Sequence, residues 1–328
     1  MNPRKRPTAA DVAAIAGVSR STVSYILNGS GRHTFPEETI DRVRSAADQL
    51  GYTPQAAARA LRRGRSGIVL LAVPDVPASS NFSSLVSALT YGVRRAGRSL
   101  TVLTLGPSNR LRDVLRDISP SVILELLPLP EEDLRAARAA GVQVLSLAEP
   151  VADLDREAGA LQVAHLAETG RERIAILSLD AEVTRSFAEP RVAGALAKAA
   201  ALELPPVREL RLTGAPHSAG RQVEEFLRSM TENGQKVDAM CCFNDTVAAV
   251  VATTAIRLGL RVPEDLAVVG MDDDPLAALL APSLSTVAFD YAGIGTRIEA
   301  VLRVELDDST ESVPAECGSV SLVRRASS

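Results

Sequence analysis

The sequence predicts two architectures in one chain. A small all-α head of three short helices comes first, followed by an α/β core of two doubly wound parallel-sheet lobes. Three observations carry this. Capped segments with helical periodicity and helix-ending glycines fill residues 8–51. From Gly67 onward, short apolar runs alternate with amphipathic stretches, the pattern of buried parallel strands covered by helices on both faces. A basic, proline-led stretch, PQAAARALRRGRS, separates the two regions.

In the head, Thr8 followed three residues later by Asp11 is a capping-box-like start. Val12, Ile15 and Ala16 supply an apolar face, and Gly17 permits the positive φ that ends the helix. Ser19 is placed to cap a second helix whose Val23, Ile26 and Leu27 face inward. Its other side carries Ser21, Tyr25 and Asn28, with Arg20 in the first turn. A helix with short polar groups outward, entered through a glycine turn, suits a DNA major groove; a plain surface hairpin is the alternative for the turn alone. Pro36 opens a third helix with Glu37 and Glu38 in its first turn. Ile40, Val43, Ala47 and Leu50 form its inward stripe, and Gly51 stops it.

Charge divides the chain in the same place. Residues 1–66 hold 11 basic and 5 acidic side chains, a net of +6, whereas the whole chain carries −4, leaving −10 on the remainder. A basic head on an acidic body fits a polyanion-binding module attached to something else. The linker, residues 54–66, has good helix formers but is shorter than an isolated helix requires in water, so it is expected to fold on its polyanion. Leu61, among Arg59, Arg62, Arg63 and Arg65, suits insertion between base steps from the minor groove. A solvated basic linker is the competing reading.

Other classes find little support. The start has no apolar run of signal-peptide length and no long uncharged stretch follows, so a soluble cytoplasmic protein without membrane contact is expected. The three cysteines, two adjacent, make no disulfide framework, and the three histidines are scattered, so neither metal nor cofactor is expected. No phosphate-cradling glycine loop and no nucleophile elbow follows a predicted strand, which argues against an enzyme.

The order DVAAIAGVSRSTVSYILNG, then FPEETIDRVRSAADQLGYTPQAAARALRRGRS, resembles the head and hinge of the lactose-repressor (LacI) family. The resemblance continues more loosely through the rest of the chain. It implies a helix-turn-helix DNA-binding domain over residues 1–53, a hinge helix over 54–66 and a periplasmic-binding-protein-like core over 67–328. That core would cross between its lobes near Glu168, Asp290 and Ser319. Matching positions make Arg20, Ser21 and Tyr25 base readers, although the family often has arginine where Tyr25 stands. Thr8, Ser19 and Asn28 match phosphate contacts. Ala58 and Leu61 match hinge positions, Leu61 being the minor-groove wedge.

In the core, GIVLLAVP, SLTVLTL, SVILELL, VQVLSL, RIAILSL, VRELRL, DAMCCF and LAVVGM read as strands, more than one open sheet holds comfortably. Ligands of two-lobed cores bind between the lobes at strand carboxyl ends. Arg191, taken to open the helix RVAGALAKAA, with Asn244 and Asp272, match effector-contacting positions on one lobe. Asn81 and Phe82, expected in the loop after the first strand, match the other. An ion pair between Arg191 and Asp272 with no ligand role is the alternative. Tryptophan is absent and Tyr and Phe total 4 and 6, so no aromatic platform for a sugar ring is expected. A small polar or acidic metabolite and a pocket without effector both stay open. The expectation is a homodimeric repressor that binds a near-palindromic double-stranded operator and responds to a small molecule. A solute-binding protein of the same core fold is the alternative.

Overall fold

In a computed structural model of the protein, the described residues are 7–28, 35–52, 66–75, 79–106, 109–214, 218–232, 234, 236–307, 309–314 and 317–328. They form two compact units, Met1–Gly67 and Ile68–Ser328.

The head comprises α1 (Ala9–Ala16), α2 (Arg20–Asn28) and α3 (Glu37–Leu50). The capping box is present: Thr8 Oγ1 accepts from the Asp11 amide at 3.4 Å, and the Asp11 carboxylate accepts from the Thr8 amide at 2.8 Å. Gly17 and Gly51 end α1 and α3 with φ of +66° and +62°. Val12, Ala16, Val23, Val43 and Ala47 meet in one small core. Ile15 does not join them; it is 51% exposed, and Ala13 is buried in its place. The small α1 stripe is centred between Val12 and Ala16, which leaves Ile15 on its flank.

The second unit contains two sheets. The first lobe is built from β1 (Ile68–Pro74), α4 (Ser80–Arg95), β2 (Ser99–Leu105), α5 (Leu111–Asp117), β3 (Val122–Glu125), α6 (Glu131–Ala139) and β4 (Gln143–Ser146). Its strands pair in parallel in the order β2-β1-β3-β4. Residues of β1 alternate between two cores: Val69, Leu71 and Val73 on one face, Leu70 and Ala72 on the other. This is why the run is apolar without a polar alternation.

The chain then passes through α7 (Ala148–Glu168) into β5 (Ile174–Leu179), α8 (Glu182–Ala201), β6 (Arg208–Leu212), α9 (Ala219–Glu232), β7 (Ala239–Cys242), α10 (Asp245–Arg257), β8 (Ala267–Met271) and β9 (Ser285–Asp290). α11 (Ala292–Asp307) and β10 (Ser319–Val323) complete it. The second sheet has the order β10-β9-β8-β7-β5-β6, parallel except for β10 against β9.

The first passage between lobes occurs along α7 rather than near Glu168, its last residue. Val151 and Leu154 pack in the first lobe's core, while Val163 and Leu166 pack in the second's. After Asp290 the chain returns, because Ile294, Ile298 and Leu302 of α11 join the first lobe's core. Ser319 begins the strand that rejoins the second sheet.

Candidate functional site

On the head, one face of α2 is polar and open. Ser19 Oγ accepts from the Thr22 amide at 3.0 Å and lies 2.7 Å from Ser21 Oγ, fixing the helix start. Thr8, Ser19, Arg20, Ser21 and Tyr25 are all exposed, and the Tyr25 ring lies 6.5 Å from that of Phe35. Val23 at 1% exposure anchors the opposite side. Asn28 is the last residue of α2. Ala58 and Leu61 lie outside the described residues.

Between the lobes of the core lies a cavity of about 640 Å³. Its centre is Arg191. Nε donates to Asp155 Oδ1 at 2.7 Å, Nη1 donates to the Phe243 carbonyl at 2.7 Å, and Nη2 lies 3.6 Å from Asp272 Oδ1. The guanidinium also sits over the Phe243 ring, 4.6 Å from its centroid. Asp155 Oδ2 and Asp272 Oδ1 are buried without a hydrogen-bond partner. Burial pushes the Asp155 carboxyl up to about 6 despite Arg191, and it raises the Asp272 carboxyl and the Tyr291 phenol as well.

The loop after β8 presents Asp272. Asp272 and Asp273 take φ of +98° and +47°, a left-handed backbone costly for residues with a side chain. Four bonds hold it there, the first from the Asp272 amide to the Val287 carbonyl at 2.8 Å. Asp245 Oδ2 accepts from the Asp274 amide at 2.7 Å, Thr286 Oγ1 accepts from the Asp273 amide at 3.3 Å, and Arg325 Nη2 donates to Asp273 Oδ1 at 2.7 Å. Asp245 Oδ1 is buried against Gly270, where a Cβ would come within 1.9 Å of it. Burial raises the Asp245 carboxyl to about 7. Across the cleft, Ser80 Oγ donates to Asp274 Oδ2 at 3.0 Å, joining the lobes.

Asn81, Phe82, Arg191, Asn244 and Asp272 all line this one cavity. Three local expectations change. Asn81 and Phe82 are in the first turn of α4, not in a loop, because Ser79 Oγ accepts from the Phe82 amide at 3.1 Å and starts the helix early. Arg191 lies mid-helix; α8 begins at Glu182 and carries Pro190 inside it. The aromatic side chains, few as they are, concentrate here: Phe82, Phe187, Phe243 and Tyr291 line the cavity. Asn244 caps α10, its Oδ1 accepting from the Val247 amide at 2.9 Å. The Arg191–Asp272 ion pair of the alternative reading exists, but it faces the cavity and is subsidiary to the shorter bond with Asp155.

Sequence reasoning missed Asp155 and Asp245. A carboxylate in mid-helix reads as a solvated position, so nothing local marks Asp155. Asp245, adjoining Asn244 at a strand end, carried a signal. Among the described residues, no group of three or more His, Cys, Asp or Glu could hold a metal ion. No helix among them is long and apolar enough to cross a membrane. The site is equipped to bind: an apolar, partly aromatic enclosure with a few convergent polar groups.

Comparison with known proteins gives matching results for both units. Residues 8–55 match the family "Bacterial regulatory proteins, lacI family", and residues 163–328, half of the chain, match "Periplasmic binding protein-like domain". The chain is 28% identical over 328 residues to the HTH-type transcriptional repressor PurR of Vibrio atlanticus (strain LGP32), covering 92% of each. It is 27% identical to the HTH-type transcriptional regulator GalR of Escherichia coli (strain K12), covering 98% of this chain and 95% of the relative. Among solved structures, a lac repressor dimer bound to operator and the anti-inducer ONPF superposes with a TM-score of 0.74. Its identity is 24%, with 98% of this chain and 99% of that chain covered. A complex of the transcriptional regulator CelR with cellobiose gives 0.65 at 24% identity, covering 98% and 100%.

Proposed function

The chain belongs to the lacI family of bacterial regulatory proteins and is a DNA-binding transcriptional regulator; on that premise we propose how it works. It acts in the cytoplasm, on the nucleoid, as a homodimeric repressor. Two copies of α2 enter successive major grooves of a near-palindromic operator, since a two-fold dimer presents two equivalent reading helices. Arg20, Ser21 and Tyr25 read base edges, while Thr8, Ser19 and Asn28 contact phosphates and fix register. Ala58 and Leu61 belong to a hinge that orders on the operator, with Leu61 wedging the minor groove.

A small molecule between the lobes sets the balance between two orientations of the lobes and so the affinity for DNA. Asn81 and Phe82 hold it from one side and Arg191, Asn244 and Asp272 from the other. The observation that carries this reading is the convergence of these five residues, from widely separated parts of the chain, on one cavity. The cavity's volume, within the range of small-molecule sites, disfavours a pocket without an effector.

Selection of bound duplexes from a random library tests the proposal. The full-length protein is expected to enrich a near-palindrome, and deletion of residues 1–66 to abolish the enrichment. No preference for any duplex over competitor DNA would overturn it. With the operator in hand, Asp272→Ala should leave operator affinity within about two-fold while removing the response to effector, because a lost cleft contact acts only through the ligand's differential affinity.

A further inference from the structure

The interlobe cavity is longer than the five contacts proposed for it need. On the reading that this cleft is the effector site, we propose that the effector has two parts. A neutral, hydroxyl-bearing head lies deep in the cleft, and an apolar ring or chain joined to it lies along the carboxyl edge of the second sheet, over β5 and β6.

Strands β8, β7, β5 and β6 are consecutive and parallel in that sheet, so their carboxyl ends share one edge. The cavity is lined by a residue that follows each of them: Asp272 after β8, Asn244 after β7, Asp180 after β5 and Thr213 after β6. Three strand spacings of about 4.8 Å separate the first from the last, roughly 14 Å of edge. A hydroxylated six-membered ring measures only about 6 Å between opposite oxygens, given bond lengths of about 1.5 Å. The volume agrees, since about 640 Å³ is more than twice the roughly 300 Å³ at which small-molecule sites begin.

The two ends differ in chemistry. Over β8 and β7 the wall can both give and take hydrogen bonds. Arg191 keeps N–H groups beyond those bound to Asp155 and the Phe243 carbonyl, and Asn244 keeps its amide donors. Asp155 Oδ2 is a buried acceptor without a partner. A hydroxyl, donor and acceptor at once, matches such a set. Over β5 and β6 the floor is Leu179, Leu212, Val247 and Val250, which pack in one hydrophobic cluster. Val183 lines the cavity beside them and is 37% exposed. The hydroxyls at this end are engaged within the protein. Thr184 Oγ1 donates to the Ala181 carbonyl at 3.1 Å, and Thr213 Oγ1 donates to Gln222 Oε1 at 3.3 Å. Among the described residues lining this end, Asp180 is the one charged side chain, and it is exposed. A hydroxylated second ring would turn its hydroxyls onto leucine and valine, whereas an apolar group gains by covering them.

The test is calorimetry on the full-length protein with n-alkyl β-glucosides and β-galactosides, methyl to hexyl, beside cellobiose and lactose. In at least one series affinity is expected to rise about two- to four-fold for each of the first four added methylenes. The hexyl member should bind at least ten-fold more tightly than the disaccharide of the same head. Val183→Asp should weaken the hexyl member at least five-fold more than the methyl member. A flat series, a disaccharide bound as tightly as the hexyl glycoside, equal losses in Val183→Asp, or no binding by any alkyl glycoside overturns the assignment. A flat series or a disaccharide whose binding Asp272→Ala abolishes would still leave the cleft as the effector site, so the two readings fail separately.

Discussion

Arg20 and Asp245 show how differently two charged residues are used. Arg20 is exposed in the first turn of α2, with nothing in the fold requiring it. Arg20→Ala is expected to cost about 1–3 kcal/mol in operator binding and to relax discrimination at one base position. Competition between operator and random duplex measures this; equal weakening of both would make Arg20 a phosphate contact. Asp245 is 4% exposed and braces the strained Asp272–Asp274 loop. Its carboxyl, raised to about 7 by burial, binds a proton more tightly folded than unfolded. Its contribution is therefore fully present at low pH and is lost as pH rises from about 4 to 7. Denaturant titrations at several pH values should show stability falling less steeply over this interval in Asp245→Asn than in the parent.

Helices α7 and α8 set the precision of the cleft. They cross with backbones touching: a Cβ at Gly159 would stand 2.0 Å from the Arg191 carbonyl oxygen, and one at Gly194 would stand 1.9 Å from that of Arg156. The same crossing sets Asp155 against Arg191. Gly159→Ala must push the helices apart, so a loss of about 1–3 kcal/mol in folding stability is expected, with weaker effector binding beside it. Denaturation and calorimetry on one preparation check both. At this scale the sequence was readable where period and strand ends speak. Asn244 and Asp272 were legible because they follow buried runs and match effector-contacting positions of the family the chain resembles, and β1 because both its faces are apolar. It was unreadable where tertiary contact decides. Arg191 was taken to open its helix, yet α8 starts at Glu182 and runs through Pro190. Nothing local marks Asp155, yet packing makes it the partner of Arg191. Counting aromatic residues said nothing of where the fold collects them, and Ile15 fell outside a stripe that small side chains had narrowed.

At the scale of the molecule, the proposed dimer needs a surface. Leu276 and Leu279, beside the Asp272–Asp274 loop, are 64% and 78% exposed, the most exposed large apolar side chains among the described residues. Exposed apolar clusters of this kind mark association sites. Leu279→Glu is expected to shift the protein from dimer toward monomer by at least ten-fold in dissociation constant, read by analytical ultracentrifugation. An unchanged dimer would locate the interface elsewhere. Ser80, bonded to Asp274 across the cleft, ties that same loop to the first lobe.

Helix α11 has a consequence for the order in which the protein can be made. It supplies Ile294, Ile298 and Leu302 to a core whose other members are encoded before residue 155, apart from Tyr291. It lies so close to α4 that a Cβ at Gly92 would meet the Gly295 carbonyl oxygen at 2.0 Å. On the ribosome, β1 to β4 therefore emerge long before the helix that seals them, while all strands from β5 to β9 are translated in between. The half of the core that is synthesised first therefore waits for a helix encoded after β9, and until then its unsealed flank is what chaperones and proteases encounter.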